Sequence, residues 1–403
     1  MTSYGPVSPA ASPTWQPFAG APAPAGPPPP APRRADMALV LAVIGFVVLG
    51  VIALLVAAYL LVAVGPVASA IAAVMALVPL AVVVWVIRWI DRWEPEPRAA
   101  LLFALLWGAA ASVGIALVFS FITQIVQAMS GVQQGLGTAF LSTVVQAPLV
   151  EEGAKGFGVL LLFWAFRRHF DGPVDGLVYG ATIGIGFAFT ENIQYFGLAL
   201  VDSSAGGVGE IFFLRGILSP FAHVMFTACT GIVLGYASRR AGAGGAIGWF
   251  VVGLIPAIML HALWNGAAFF VSDFYLYYAV VQVPLFLTGI AFVLFLRRDE
   301  QRVTRTRLAE YAAAGWFTPL EVGLVSTPGG RAAGRAWAAR FGLEQAFTTF
   351  TRDATRLAFA RQRVVSSRDR IGAQRAEADL LDALRHDRAA LAAMPPFPMA
   401  PIG

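Results

Sequence analysis

The sequence predicts an all-α, polytopic membrane protein, and three observations carry that expectation. Of its 403 residues, 58% are hydrophobic and only 13% charged, against about 25% charged in soluble domains. Mean hydropathy is +0.71, so most of the apolar surface must face lipid and not a packed aqueous core. The apolar residues fall into eight long runs, each sufficient for roughly 30 Å of hydrocarbon at about 1.5 Å per residue. Helices are favoured because they satisfy every backbone polar group internally. A lone Cys229 excludes a disulfide framework within one chain and a multi-cysteine metal ribbon.

Residues 1–36 hold 11 of the 26 prolines, with Ala, Gly and Ser between them. They bury too little apolar area to offset ordering, so a disordered cytosolic tail is expected. Arg33 and Arg34 precede a run at 38–64 that is far too long for a signal h-region and reads as the first span. Further spans are expected at 66–90, 99–127, 139–166, 174–201, 211–237, 244–270 and 274–296, giving an eight-helix region over 37–296. Arg88, Arg92 and Arg98, then Arg167 and Arg168, Arg239 and Arg240, and Arg297 and Arg298 fall, with Arg33 and Arg34, on every alternate connection. The positive-inside rule then puts both termini of a multi-pass cell-membrane protein in the cytoplasm, which requires an even number of spans.

Residues 297–403 hold 17 Arg and 11 Asp+Glu, net +6, whereas residues 1–296 are net −1. Interspersed acids make this a mixed-charge surface, and with no nucleic-acid motif no nucleic-acid partner is expected. Helical spacing at 302–314 and 331–341, broken by Thr327-Pro328-Gly329-Gly330, predicts a small cytosolic helical region.

Ionisable groups inside spans carry the functional information, because a mid-bilayer charge costs several kcal/mol and normally faces a polar interior. Here they cluster: Glu151, Glu152 and Lys155 in span four, Glu191 and Asn192 in span five, Arg215 and His223 in span six, His261 and Asn265 in span seven. Glu151 and Lys155 are i,i+4 and share a face, as do His261 and Asn265, while Glu152 is turned about 100° from its neighbour. One carboxylate can therefore serve a reacting centre while the other pairs with Lys155 or Arg215. Depth is an independent check. Glu151 to Arg167, Asp175 to Glu191 and His223 to Arg239 are each 16 residues apart, and Arg240 to His261 is 21. At about 1.5 Å per residue, these groups share one layer in the outer half of the membrane.

Two neutral imidazoles and a carboxylate suit a divalent transition metal such as zinc, and a further glutamate beside an open position can take a proton from water. The Asn265 amide can donate to an oxyanion formed on a peptide carbonyl. Each piece has a simpler reading. A lone membrane His bridges helices as readily as it binds metal, and a Glu–Lys pair is often structural or part of a transport path. Gly180 and Gly184, beside Gly186, read as a close helix contact, and Trp264 and Cys229 as packing. There is no HExxH, no G-x-S-x-G, and neither the GxSG of rhomboids nor the GxGD of presenilin-like proteases.

The ordered set EEGAK (151–155), FAFTEN (187–192), His223 after Arg215-Gly216, and HALWN (261–265) strongly resembles the PrsW family of intramembrane proteases, relatives of the type II CAAX-prenyl and bacteriocin-processing proteases. DRWEPEP (91–97) resembles that family's loop ahead of its core. The resemblance covers roughly residues 80–296.

It implies a membrane-embedded glutamate protease or metalloprotease cutting membrane-anchored proteins, the family prototype acting on an anti-sigma factor in site-1 type regulated proteolysis. Matched residue by residue, Glu151 and Glu152 are the paired-glutamate motif, Glu191 the second, His223 the third, and His261 with Asn265 the fourth. The expected mechanism has Glu151, or Glu152, activating a water, with Glu191, His223 and His261 holding a divalent metal, zinc by preference, or the water. Asn265 stabilises the oxyanion, and Lys155, Asn192 and Arg215 support the set. Two other classes remain at this stage: a proton-coupled transporter, which also places Glu, Lys and His at mid-membrane, and a catalytically silent membrane scaffold.

Overall fold

The computed structural model describes residues 35–133, 135–167, 170–202, 205–238, 244–366 and 370–391. The proline-rich tail to residue 34, with Arg33 and Arg34, lies outside the described residues, as do Arg168, Arg239, Arg240 and the last twelve residues. Among the described residues every regular element is helical. The chain divides between Gly45 and Phe46 into two units; the described part of the first is the opening of α1, and the packing below concerns the second.

Twelve helical rods follow in order: α1 (Ala35–Ala63), α2 (Pro66–Ile90), α3 (Arg98–Met129), α4 (136–165), α5 (Pro173–Asp202), α6 (Gly207–Ser238), α7 (Ala246–Phe270), α8 (Phe274–Ala313), α9 (Pro319–Ser326), α10 (Pro328–Ala339), α11 (Glu344–Val365) and α12 (Arg370–Leu391). Local chemistry fixes several ends. Gly65 adopts φ 89° ahead of Pro66 at the start of α2, a conformation glycine tolerates without cost. Asp273 caps α8 through Leu276 N–H, and Thr318 and Glu321 form a capping box on α9.

Six rods, α1, α2, α3, α6, α7 and α8, are long and apolar enough to cross a membrane. Eight apolar runs were expected, and the two remaining rods carry Glu151, Glu152 and Lys155 on α4 and Asp175, Glu191 and Asp202 on α5. Their lower hydropathy follows from their position. Every residue from Pro173 to Ala188 is buried, so α5 is surrounded by protein and has no need of a lipid-facing surface. It packs most extensively against α6, then against α3 and α2.

The glycines of α5 set how close α6 comes. A Cβ at Gly180 would lie 2.7 Å from the Thr227 carbonyl oxygen, and one at Gly184 2.5 Å from that of His223. The small-residue stripe is thus the close helix contact expected of it, and it brings the two backbones together where His223 and Thr227 leave α6. On the other flank, Trp107 Nε1 of α3 donates to the Ala154 carbonyl of α4 at 3.0 Å.

Several helices contain one widened turn, among them Leu141–Gln146 before the paired glutamates and Phe213–Leu218 around Arg215. α6 is interrupted at Ser219-Pro220-Phe221 just before His223. α8 runs unbroken from the apolar segment through Arg297 to Ala313, with no Gly or Pro between Ile290 and Ala313. Its far end joins α9, α11 and α12 around Leu308, Phe317, Val325, Phe350 and Leu357. This C-terminal bundle covers the 91–97 loop. Arg331 stacks 3.4 Å over the Trp93 ring and donates to its carbonyl at 3.0 Å, Trp93 Nε1 donates to Thr304 Oγ1 at 3.0 Å, and Arg363 pairs with Asp171.

Candidate active site

Four rods contribute to one buried polar centre. From α4, Glu152 and Lys155 project inward and are wholly buried, with Lys155 Nζ 2.6 Å from Glu152 Oε1 and 3.6 Å from Glu151 Oε2. The expected i,i+4 pairing is therefore present, but the tighter bond is to the i,i+3 glutamate. The ammonium also donates to His223 Nδ1 at 3.2 Å and stands 4.0 Å over the Phe187 ring. Glu152 is held from two further sides, by Thr227 Oγ1 at 3.0 Å and His261 Nδ1 at 3.0 Å. A buried carboxylate bound by an ammonium, an imidazole and a hydroxyl meets the condition under which a charge is tolerated at low dielectric.

Each imidazole has its own carboxylate. His261 turns Nδ1 to Glu152, leaving Nε2 toward Glu151 Oε2 at 3.8 Å. His223 turns Nε2 to Glu191 Oε2 at 2.8 Å, leaving Nδ1 as the acceptor for Lys155. Such pairing fixes the tautomer and ring orientation, the arrangement that supports metal-ligating histidines. The two rings stand edge to face with centroids 5.1 Å apart, and Phe226 stacks on His261.

Glu191 was expected among the metal ligands. In the structure it meets His223 and is paired with Arg215, which also donates to Asn192 Oδ1 at 2.9 Å and stacks 4.0 Å over Tyr195. Among the described residues, the donor atoms that lie within 4.8 Å of one another belong to Glu151, His223 and His261. The difference is physical: the Arg215 guanidinium claims the Glu191 carboxylate, whereas Glu151 Oε2 is buried with no hydrogen-bond partner. Asn265, expected at the oxyanion, lies one turn beyond His261 with its amide donating to the Thr143 carbonyl at 2.9 Å, across the widened turn of α4. Sequence reasoning passed over Thr227, although its i,i+4 spacing from His223 put it on the same face.

Glu151 Oε2, which makes no hydrogen bond, faces His261 Nε2 at 3.8 Å, and with His223 Nδ1 released from Lys155 they would present two nitrogens and one oxygen, a donor set that zinc accepts. Glu151 is also the more accessible of the paired glutamates, with its side chain 15% exposed against none for Glu152.

Fold and site together define a class: a membrane protein, helical throughout its described residues, whose charged helices pack with apolar ones around a carboxylate–imidazole–ammonium centre. The model of the PrsW family, described as PrsW family intramembrane metalloprotease, matches residues 96–289, so that the resemblance read from the motifs is borne out over that stretch. Protease PrsW of Bacillus subtilis (strain 168) is 28% identical over 154 residues, 38% of this chain and 66% of that protein. Protease PrsW of Geobacillus kaustophilus (strain HTA426) is 35% identical over 146 residues, 36% of this chain and 56% of its own length. That of Clostridioides difficile (strain 630) is 26% identical over 170 residues, 42% and 67% respectively. The chain thus spans between about half and two thirds of the curated relatives it matches. No solved structure matches it.

Proposed function

We propose that this protein is an intramembrane endopeptidase that hydrolyses peptide bonds of membrane-anchored proteins. The observation that carries the reading is the buried centre in which Glu151, His223 and His261 present donor atoms within 4.8 Å of one another, with Glu151 Oε2 making no hydrogen bond. In this reading α1 to α8 all cross the bilayer, the two charged rods inside the ring of apolar ones, with both termini, the proline-rich tail and the residues from 297 onward on the cytoplasmic side.

Glu151 takes a proton from the attacking water, whose oxygen adds to the scissile carbonyl carbon. The carbon–nitrogen bond then breaks, and the proton passes from Glu151 to the leaving amine. Glu152 does not exchange protons. Bound by Lys155, Thr227 and His261, it orients His261 as Glu191 orients His223. Lys155 neutralises the paired glutamates, and Arg215 with Asn192 holds Glu191. A divalent metal, zinc by donor chemistry, would be held by His261 and by His223 once Nδ1 is released from Lys155, with Glu151 beside it as the base, and would supply Lewis acidity for polarising carbonyl and water. Asn265 serves the oxyanion once the substrate strand displaces its amide from the Thr143 carbonyl. The substrate is a single-span protein entering laterally and locally unwound, because a helix hides its carbonyls in hydrogen bonds; an anti-sigma factor has that form.

The test compares membrane proteomes of cells carrying the unaltered protein with Glu151→Gln, Glu152→Gln and His261→Ala variants that accumulate equally. One anchored protein should remain untrimmed in all three variants. Identical proteomes would refute the reading.

A further inference from the structure

A second cavity, of about 540 Å³, lies between α2, α5, α6 and α8. Its lining has no charged or hydroxyl-bearing side chain: Val86 and Ile90 of α2, Ala181 of α5, Ala228 of α6, and Gly289 and Val293 of α8 face it. On α6 it uses Phe221, Val224, Met225 and Ala228. At 100° per residue these face away from His223 and Thr227, so α6 stands between the groove and the Glu151–His261 centre. The groove extends from Phe221 to Ile232 on α6 and from Phe286 to Leu294 on α8. That is about 12 to 16 Å, the depth of one leaflet of a roughly 30 Å hydrocarbon core.

At the end where α2 leaves the membrane, the groove meets positive charge. Trp89 lines it, and the Arg297 guanidinium stacks on that ring at 3.7 Å. Arg297 Nε is buried without a hydrogen-bond partner, and the charges of Glu300 and, less strongly, Arg92 bear on Arg297. Two cations face one carboxylate there, and the buried Nε donor is left for a further acceptor at the head of an apolar slot of leaflet depth.

We propose that this groove binds an anionic glycerophospholipid, one acyl chain along α2 and α8 and the phosphate at Arg297 and Arg92. Basic pockets between spans on the cytoplasmic side recognise such headgroups. A substrate span is the poorer occupant. It would need the whole bilayer thickness, and α6 would screen it from the reacting groups. The inference goes beyond the proteolytic reading and does not depend on it.

The test is native mass spectrometry of the full chain with phosphatidylglycerol and phosphatidylcholine of equal chain length. The anionic lipid should be retained and the zwitterionic one lost. Arg297→Gln should weaken retention about fivefold and the Arg92→Gln, Arg297→Gln pair about thirtyfold, at the usual contribution of one interfacial arginine. Gly289→Leu should abolish retention with both arginines intact, since a Cβ there meets only Met225 Sδ, at 3.7 Å, and the rest of the side chain enters the slot. Cys229, the only cysteine, also lines the groove. In the unaltered protein its alkylation by N-ethylmaleimide should slow when phosphatidylglycerol is added, a measurement that requires no variant to fold. Equal retention of both lipids, no effect of Gly289→Leu, alkylation indifferent to the lipid, or cross-linking of a substrate span from within the groove would each overturn the proposal.

Discussion

Removing the buried ammonium should injure the protein more than removing the carboxylate it binds. Lys155 Nζ lies 2.6 Å from Glu152 Oε1 with neither side chain exposed, an attraction of ~6 kcal/mol at an effective dielectric of about 20. That figure is offset by the desolvation of both groups. Lys155→Met, however, leaves desolvated carboxylates without their cation and should cost about 3–5 kcal/mol of stability. Glu152→Gln should cost less, because Lys155 retains Glu151 at 3.6 Å and His223 at 3.2 Å. Combining the two removes charge from both sides of the pair and should recover at least about 2 kcal/mol of the summed losses. Chemical unfolding of the metal-stripped protein in micelles, read by tryptophan fluorescence, closes the cycle. Additivity within about 0.5 kcal/mol would mean that the two groups do not interact as described.

Four further outcomes follow from the same geometry. Gly184→Ala must displace the His223 backbone by nearly 1 Å, since its Cβ would lie 2.5 Å from that carbonyl oxygen where ordinary contact begins at 3.4 Å. A loss of ~1–3 kcal/mol in unfolding free energy and about a hundredfold in cleavage is expected, while Gly248→Ala, with nothing within 4 Å, should change neither. Burial raises the Asp91 carboxyl in the 91–97 loop from its ordinary 3.8 to about 7, against the opposing effect of its bond from the Glu96 N–H, and Glu94 and Glu96 are raised in the same direction by burial. The folded loop therefore prefers the protonated acid. Stability present at pH 4 should decline as the pH rises to about 7, by up to ~4 kcal/mol for Asp91, and a thermal melting series should show the slope reduced in Asp91→Asn. Arg331 donates to the carbonyls of Val325 and Trp93 and to Thr355 Oγ1; Arg331→Ala should make the C-terminal bundle protease-sensitive at a cost of about 2–4 kcal/mol, with Arg331→Lys a poor rescue because the planar fork is lost. Zinc should raise the melting temperature of the unaltered protein but not of His261→Ala, by the mass action of a ligand held only in the folded state.

Much of the architecture was readable because apolar runs long enough for a bilayer have few alternatives. The eight expected runs fall on α1 to α8 with ends displaced by a few residues, as at 139–166 against 136–165. Hydropathy, lowered by their charges, separates α4 and α5 from the other six rods. Among those six it could not tell burial in protein from burial in lipid, which leave the same apolar signature. The boundary expected at residue 297 marks a change of composition without a break, as α8 continues to Ala313. At the site, helical spacing placed Glu151, Glu152, Glu191, His223 and His261 in one layer, and they do share one centre. It could not decide which carboxylate each cation takes, since that depends on helix rotation. Thus Lys155 binds Glu152 more closely than Glu151, and Arg215 holds Glu191 away from the donors of Glu151 and His261. Asn265 bonds to Thr143, a residue at a widened turn that no motif marks.

The measurement that reaches the central claim most directly uses isotopic water. Membranes from cells carrying Glu151→Gln, in which uncut substrates accumulate, are mixed with the purified unaltered protein in H₂¹⁸O, and new carboxyl termini are sequenced by mass spectrometry. A buried glutamate that activates water predicts ¹⁸O in termini generated within or beside a membrane span, and no such termini when purified Glu151→Gln is added instead. Cleavage sustained by Glu151→Gln, or new termini free of the label, would contradict it.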